Sequence, residues 1–147
     1  MSQTSFNIQR AAVIGAGTMG RGIVMCLANA GVPVQWVDNN PQMLEQALAT
    51  VADTYAHNVR QGRIDQAEAD ARIARVTSAA DYAAIRDVDL VIEAVYENLE
   101  LKQKIFRELD GLLKPEAILA SNTSALDIDA IAAATRRPQQ VLGLHFF

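Results

Sequence analysis

Gly15-Ala16-Gly17-Thr18-Met19-Gly20 follows an unbroken apolar run, Ala11-Ala12-Val13-Ile14, and opens a segment of helical period. An apolar run without polar alternation is what a parallel strand covered on both faces requires. After the glycines, Met19, Ile23, Leu27 and Ala30 recur every three or four residues, and Gly31 offers a left-handed cap. Taken alone, G-x-G-x-x-G is a weak signal and reads equally as a tight turn. Between a strand and a helix it is the arrangement that binds a dinucleotide. Gly15 makes the turn, Gly17 lets backbone approach a pyrophosphate, and Gly20 lets helix pack close to strand. The helix start at Thr18 and Met19 presents unpaired N–H groups and a positive dipole end to phosphates.

A second strand is expected over 34–37 and ends on Asp38, about twenty residues beyond the glycines, where a carboxylate accepts hydrogen bonds from adenosine ribose hydroxyls. A 2'-phosphate would be repelled there, so the cofactor expected is NAD rather than NADP. Asn40-Pro41 caps and starts a helix whose apolar positions Leu44, Leu48, Val51 and Tyr55 lead toward Gly62. Asp65-x-x-Glu68 opens another to about Arg75, giving a helical hairpin after strand two. A weak strand follows over 75–77 and a strong one over 89–94. A helix over 99–113 closes before Pro115, with strand five over 117–120. A short helix over 128–133 and a sixth strand over 141–144 run into His145. The fold expected is α/β: a doubly wound Rossmann sheet, mostly parallel, of about six strands ordered 3-2-1-4-5-6.

The 147 residues make a single domain, 1–147, and half of them are apolar, enough for one two-sided core. A net charge of -4 with scattered Arg and Lys supplies no basic stripe for nucleic acid. Lone Cys26 makes no internal disulfide, no His/Cys cluster suggests a metal, and no apolar stretch approaches a membrane span. Neither nucleic acid nor membrane is expected as a partner. The start lacks a signal-like segment, and the expected location is cytoplasmic.

Two further segments fall at carboxyl ends of strands, where open α/β sheets bind ligands. Glu93 to Lys102 follows strand four; Ser121-Asn122-Thr123-Ser124 follows strand five. The second is either helix-capping turn chemistry or a set of hydroxyls and an amide able to hold a carboxamide and an alcohol. Of the two histidines, His57 is mid-helix beside Arg60 and reads as a surface residue. His145, at the end of strand six, is either a packed structural residue or a general base, since a neutral imidazole suits removal of an alcohol proton near neutral pH.

Together, Gly15 to Gly20, Glu93-Ala94 with Glu97-Asn98-Leu99, Ser121 to Ser124, and Gly143-Leu144-His145-Phe146-Phe147 closely resemble the L-3-hydroxyacyl-CoA dehydrogenases of fatty-acid β-oxidation, including 3-hydroxybutyryl-CoA dehydrogenases. The resemblance spans essentially the whole chain. It implies oxidation of (S)-3-hydroxyacyl-CoA by NAD, with His145 as catalytic base and Ser124 on the substrate oxygen and nicotinamide. It further implies that Asp38, Glu97 and Lys102 contact NAD, with Asn122 beside them. The hairpin would contribute to the CoA site, where Thr54 and Gln61 hold the positions at which the family commonly has a hydroxyl and a lysine, with Arg60 and Arg63 nearby. The family continues past His-Phe-Phe with a histidine-orienting carboxylate and a helical domain for substrate and homodimer contacts, absent from this sequence. The chain alone is therefore expected to bind NAD with little turnover. Two other readings stay open: a dinucleotide-binding module only, or a β-hydroxyacid dehydrogenase acting on a small free acid.

Overall fold

The computed structural model describes residues 7–144 and 146. Six strands form one sheet: β1 (Ala11–Ile14), β2 (Val34–Val37), β3 (Val76–Ala79), β4 (Leu90–Glu93), β5 (Ile118–Ser121) and β6 (Val141–Gly143). They lie in the order β3-β2-β1-β4-β5-β6, every neighbouring pair parallel. The expected doubly wound order is the observed one. The connections are α1 (Thr18–Asn29), α2 (Pro41–Arg60), α3 (Gln66–Ala74), α4 (Leu99–Asp110) and α5 (Ile128–Ala132), with short 3-10 turns at Tyr82–Ile85 and Pro138–Gln140 that sequence periodicity does not reveal.

Side-chain alternation along the strands builds two cores. Ala12 and Ile14 of β1, Val91 of β4 and Leu119 of β5 face Ile105, Phe106 and Leu109 of α4 and Ile131 of α5. On the other face, Val13, Trp36, Ile92 and Ala120 meet Ile23 and Val24 of α1, Leu44, Ala47, Val51 and Tyr55 of α2, and Ala69 of α3. Double coverage is why β1 is apolar at all four positions and wholly buried.

Several boundaries move for identifiable reasons. The inner face of α1 runs through Gly20, Ile23, Val24 and Ala28, with Met19 and Leu27 flanking it and Ala30 exposed. Small residues at 20 and 28 let the helix approach the sheet closely, so the contact line follows them and not the larger Met19 and Leu27. β3 begins and ends later than expected, at Val76 and Ala79. The fourth helix ends earlier than expected, at Asp110, and Arg137 takes the carbonyls of Asp110 and Leu113 at 3.1 and 3.3 Å. The caps read from sequence form as expected: Asn40 Oδ1 accepts from the N–H groups of Gln42 and Met43, and Asp65 Oδ1 from Glu68.

Candidate active site

The loops after β1, β4 and β5 meet above the carboxyl edge of the sheet around a cleft of about 510 Å³. Gly17, Thr18 and Met19 form one side; Ala94, Val95, Tyr96 and Glu97 another; Asn122 and Ser124 the third.

Contacts with β2 hold the glycine turn. Trp36 Nε1–H donates to Gly15 O at 2.8 Å, and Asp38 Oδ2 accepts the Ala16 N–H at 2.8 Å while Oδ1 accepts that of Asn40, also at 2.8 Å. Gly15 has φ +114°, and a Cβ there would lie 2.6 Å from Ala94 O. At Gly20 a Cβ would meet Gly15 O at 1.9 Å. Gly17 is the opposite case: a Cβ would have nothing within 4 Å, so the space above it is open. Gly17 is also the N-cap of α1 and makes no side-chain cap bond, which leaves first-turn N–H groups for an anion. These residues therefore fit a pyrophosphate. Each Asp38 oxygen has a second lone pair available for a hydroxyl.

On the far side, Glu97 Oε2 accepts the Thr123 hydroxyl at 2.6 Å, and Oε1 is 3.4 Å from Lys102 Nζ. Burial pushes the Glu97 pKa up, but the Thr123 hydrogen bond and the Lys102 charge outweigh it and hold the carboxyl below its ordinary value. Glu97 is thus an anion at neutral pH, two-fifths exposed at the cleft wall.

Residues 10–147 match the family described as 3-hydroxyacyl-CoA dehydrogenase, NAD binding domain. The chain belongs to that family. It is 45% identical to the peroxisomal bifunctional enzyme of Cavia porcellus over 138 residues, 92% of this chain and 18% of that protein. It is 38% identical over 140 residues to the fatty acid oxidation complex subunit alpha of Colwellia psychrerythraea, covering 95% and 19%. The crystal structure of 3-hydroxybutyryl-CoA dehydrogenase from Escherichia coli superposes with a TM-score of 0.94 at 37% identity, over 96% of this chain and 30% of that one. The dehydrogenase-family domain described here spans about a fifth of the length of the curated relatives it matches.

Within this NAD-binding domain, the fold brings Gly17, Thr18, Met19, Glu97, Asn122 and Ser124 to one cleft. The choice left open at residues 121–124 divides by residue. Thr123 closes the turn, its Oγ1 accepting the Leu126 N–H at 3.1 Å, and the helix cap is Asp127, before α5. Ser124 instead is exposed on the cleft wall. Asn122 Oδ1 accepts the Phe146 N–H at 3.3 Å. His145 lies outside the described residues; before it, Leu144 N–H donates to Ser121 O at 3.0 Å.

Lys102, which the resemblance implied as an NAD contact, lies behind the cleft wall in this fold. Its side chain is completely buried and its ammonium is taken by Glu93 at 2.5 Å and Val95 O at 3.1 Å. Thr54, Arg60 and Gln61 do not reach the cleft. Thr54 Oγ1 donates back to Thr50 O, and Arg60 and Gln61 are exposed at the far end of α2. Tyr55, one turn earlier, bonds Asn29 at the end of α1, which places that end of α2 toward the amino edge of the sheet. His57 is exposed, as its setting in the sequence indicated.

Sequence reasoning assigned no role to Glu93 or Thr123. A glutamate closing an otherwise apolar strand, with a lysine in the first turn of the next helix, was the available signal. Among the described residues no His/Cys/Asp/Glu group is arranged to hold a metal, and no helix is long and apolar enough to cross a membrane.

Proposed function

We propose that this domain binds NAD for the oxidation of (S)-3-hydroxyacyl-CoA to 3-oxoacyl-CoA. The observation that carries this reading is the convergence on one cleft of the uncapped α1 N-terminus, the Glu97 carboxylate, and the Asn122 and Ser124 side chains. The names of the relatives, a 3-hydroxybutyryl-CoA dehydrogenase and two enzymes of fatty-acid or peroxisomal metabolism, support the acyl-CoA substrate class. Gly17, Thr18 and Met19 would hold the pyrophosphate, Asp38 the adenosine ribose, and Glu97 and Asn122 the nicotinamide half. When bound, NAD supplies the acceptor for the hydride leaving substrate C3. Ser124 Oγ holds the C3 oxygen, and His145 takes the hydroxyl proton as the carbonyl forms. Lys102 serves through Glu97 from inside the wall.

In this reading the 147 residues bind dinucleotide, and turnover needs a further helical domain through which the enzyme dimerises and closes its substrate cleft.

The test pairs NADH fluorescence titration with acetoacetyl-CoA reduction in the enzyme that carries this domain. His145→Gln is expected to lower kcat by about 10² to 10⁴, the usual worth of a positioned base, with NADH affinity little changed. Ser124→Ala is expected to lower kcat/KM less, by a few kcal/mol at most. Near-normal kcat in the histidine variant would overturn the assignment. Faster reduction of free acetoacetate than of its CoA ester would transfer the reading to a small free acid.

A further inference from the structure

Glu93 ends β4 with its side chain wholly buried, between Ile14 of β1 and Ser121 of β5 in the sheet register. Its Oε1 accepts the Ser121 hydroxyl at 2.5 Å. Its Oε2 accepts the Val95 N–H at 2.7 Å and the Lys102 ammonium at 2.5 Å. Lys102 also donates to Val95 O at 3.1 Å and stands 3.4 Å from Glu97 Oε1. One buried ion pair therefore grips the Val95 residue at both its N–H and its carbonyl, and reaches the Glu97 carboxylate from behind.

A buried pair of this kind is a weak stabiliser, because desolvation of both ions offsets their attraction. What it holds is more specific. Ala94, Val95, Tyr96 and Glu97 are one wall of the cleft. Two carboxylates share one ammonium: Glu93 neutralises Lys102, which leaves Glu97, anchored by Thr123 on its other oxygen, as the negative charge at the cleft surface. A dinucleotide with its adenosine at Asp38 on β2 and its pyrophosphate at α1 extends its nicotinamide half over β4 and β5, against this wall.

We infer that Glu93 is a positioning residue for the nicotinamide half of the cofactor, acting through Lys102 and Val95 to fix Glu97 for the nicotinamide ribose hydroxyls without touching the cofactor itself. The inference rests on NAD being the ligand. It separates two halves of one binding site that simple destabilisation would affect together.

The experiment is a titration of the 147-residue chain with NADH and, separately, with ADP, which lacks the nicotinamide half. The variants are Glu93→Gln, which keeps side-chain shape but removes the charge, and Glu93→Gln with Lys102→Met, which removes both buried charges and guards against simple failure to fold. NADH affinity is expected to fall about tenfold in both, as for the loss of a charge-assisted hydrogen bond. ADP affinity should stay within about twofold, and the double variant should regain thermal stability lost by the single one. Parallel loss of NADH and ADP affinity would make Glu93 merely structural and overturn the inference. Unchanged NADH affinity in the folded double variant would overturn it as well. Absence of NADH binding by the unmodified chain would remove the cofactor reading and this inference with it.

Discussion

Three glycines within six residues do three different jobs, and the geometry separates them. Gly20 is a packing residue: a methyl group there would collide with the Gly15 carbonyl at 1.9 Å, backbone against backbone. Gly20→Ala is expected to cost at least about 3 kcal/mol, the upper range for overpacking, visible as a fall in Tm. Gly17 is a ligand residue, with ordinary φ -81° and open space where its Cβ would be. Gly17→Ala is expected to leave Tm within about 2 °C while weakening NADH roughly tenfold, because the methyl fills the phosphate approach. Similar behaviour of the two variants would refute this division. Asp38 carries cofactor choice: NADH should bind well ahead of NADPH, and Asp38→Ala should narrow the gap. Equal binding of both cofactors by the unmodified chain would remove the argument from Asp38. That variant should also loosen the glycine turn, since Asp38 holds the Ala16 N–H.

The carbonyls at the end of α4 and in the turn after it converge on Arg137, a residue only 7% exposed. It donates to Asp110 Oδ1 at 2.6 Å and to the carbonyls of Lys114, Ala117, Asp110 and Leu113 at 2.7, 3.2, 3.1 and 3.3 Å. A planar fork of five donors is suited to this cluster, and a lysine ammonium is not. Arg137→Lys and Arg137→Met are both expected to destabilise, the methionine by about 3–5 kcal/mol because the Asp110 side chain, 11% exposed, is left without its ionic partner. In a domain of this size that is a Tm fall of about 10 °C or more. A methionine variant within about 2 °C of the parent would show that the turn satisfies its carbonyls in another way.

Across the whole molecule, Asp89 ties the segment that enters β1 to the turn after α4 at the amino edge of the sheet. It accepts the N–H groups of Gln9 and Arg10 at 2.8 and 3.0 Å on one oxygen and the Lys114 ammonium on the other. The Lys114 hydrogen bond holds its carboxyl below the ordinary value of 3.8, helped by the two N–H groups and opposed by burial. Because the folded pKa is the lower one, the charged form favours folding. That contribution is present above the ordinary value and is lost as pH falls through the folded one. Glu97 and Asp110 are lowered in the same direction and add to acid sensitivity. Asp89→Asn should therefore lower Tm near neutral pH, with the difference shrinking by about pH 3. A gap of constant size across that range would remove the linkage to Asp89.

The glycine turn and the helix starts were legible in the sequence because each depends on neighbours within a few residues, and the strand order followed from the right-handedness of crossovers between parallel strands. An unbroken apolar run requires two covered faces, and Asn40 and Asp65 cap the helices that begin beside them. Half of the cleft was legible for the same reason, through the glycines and the strand ends. What the tertiary structure alone decided are contacts between residues remote in sequence: Ser121 on Glu93 across 28 positions, Arg137 on Asp110 across 27. Contacts of this kind hold Lys102 inward on Glu93 and bring the carbonyls after α4 onto Arg137. No local pattern encodes them, because the energy of a buried charge or carbonyl depends on which partner the completed fold places beside it.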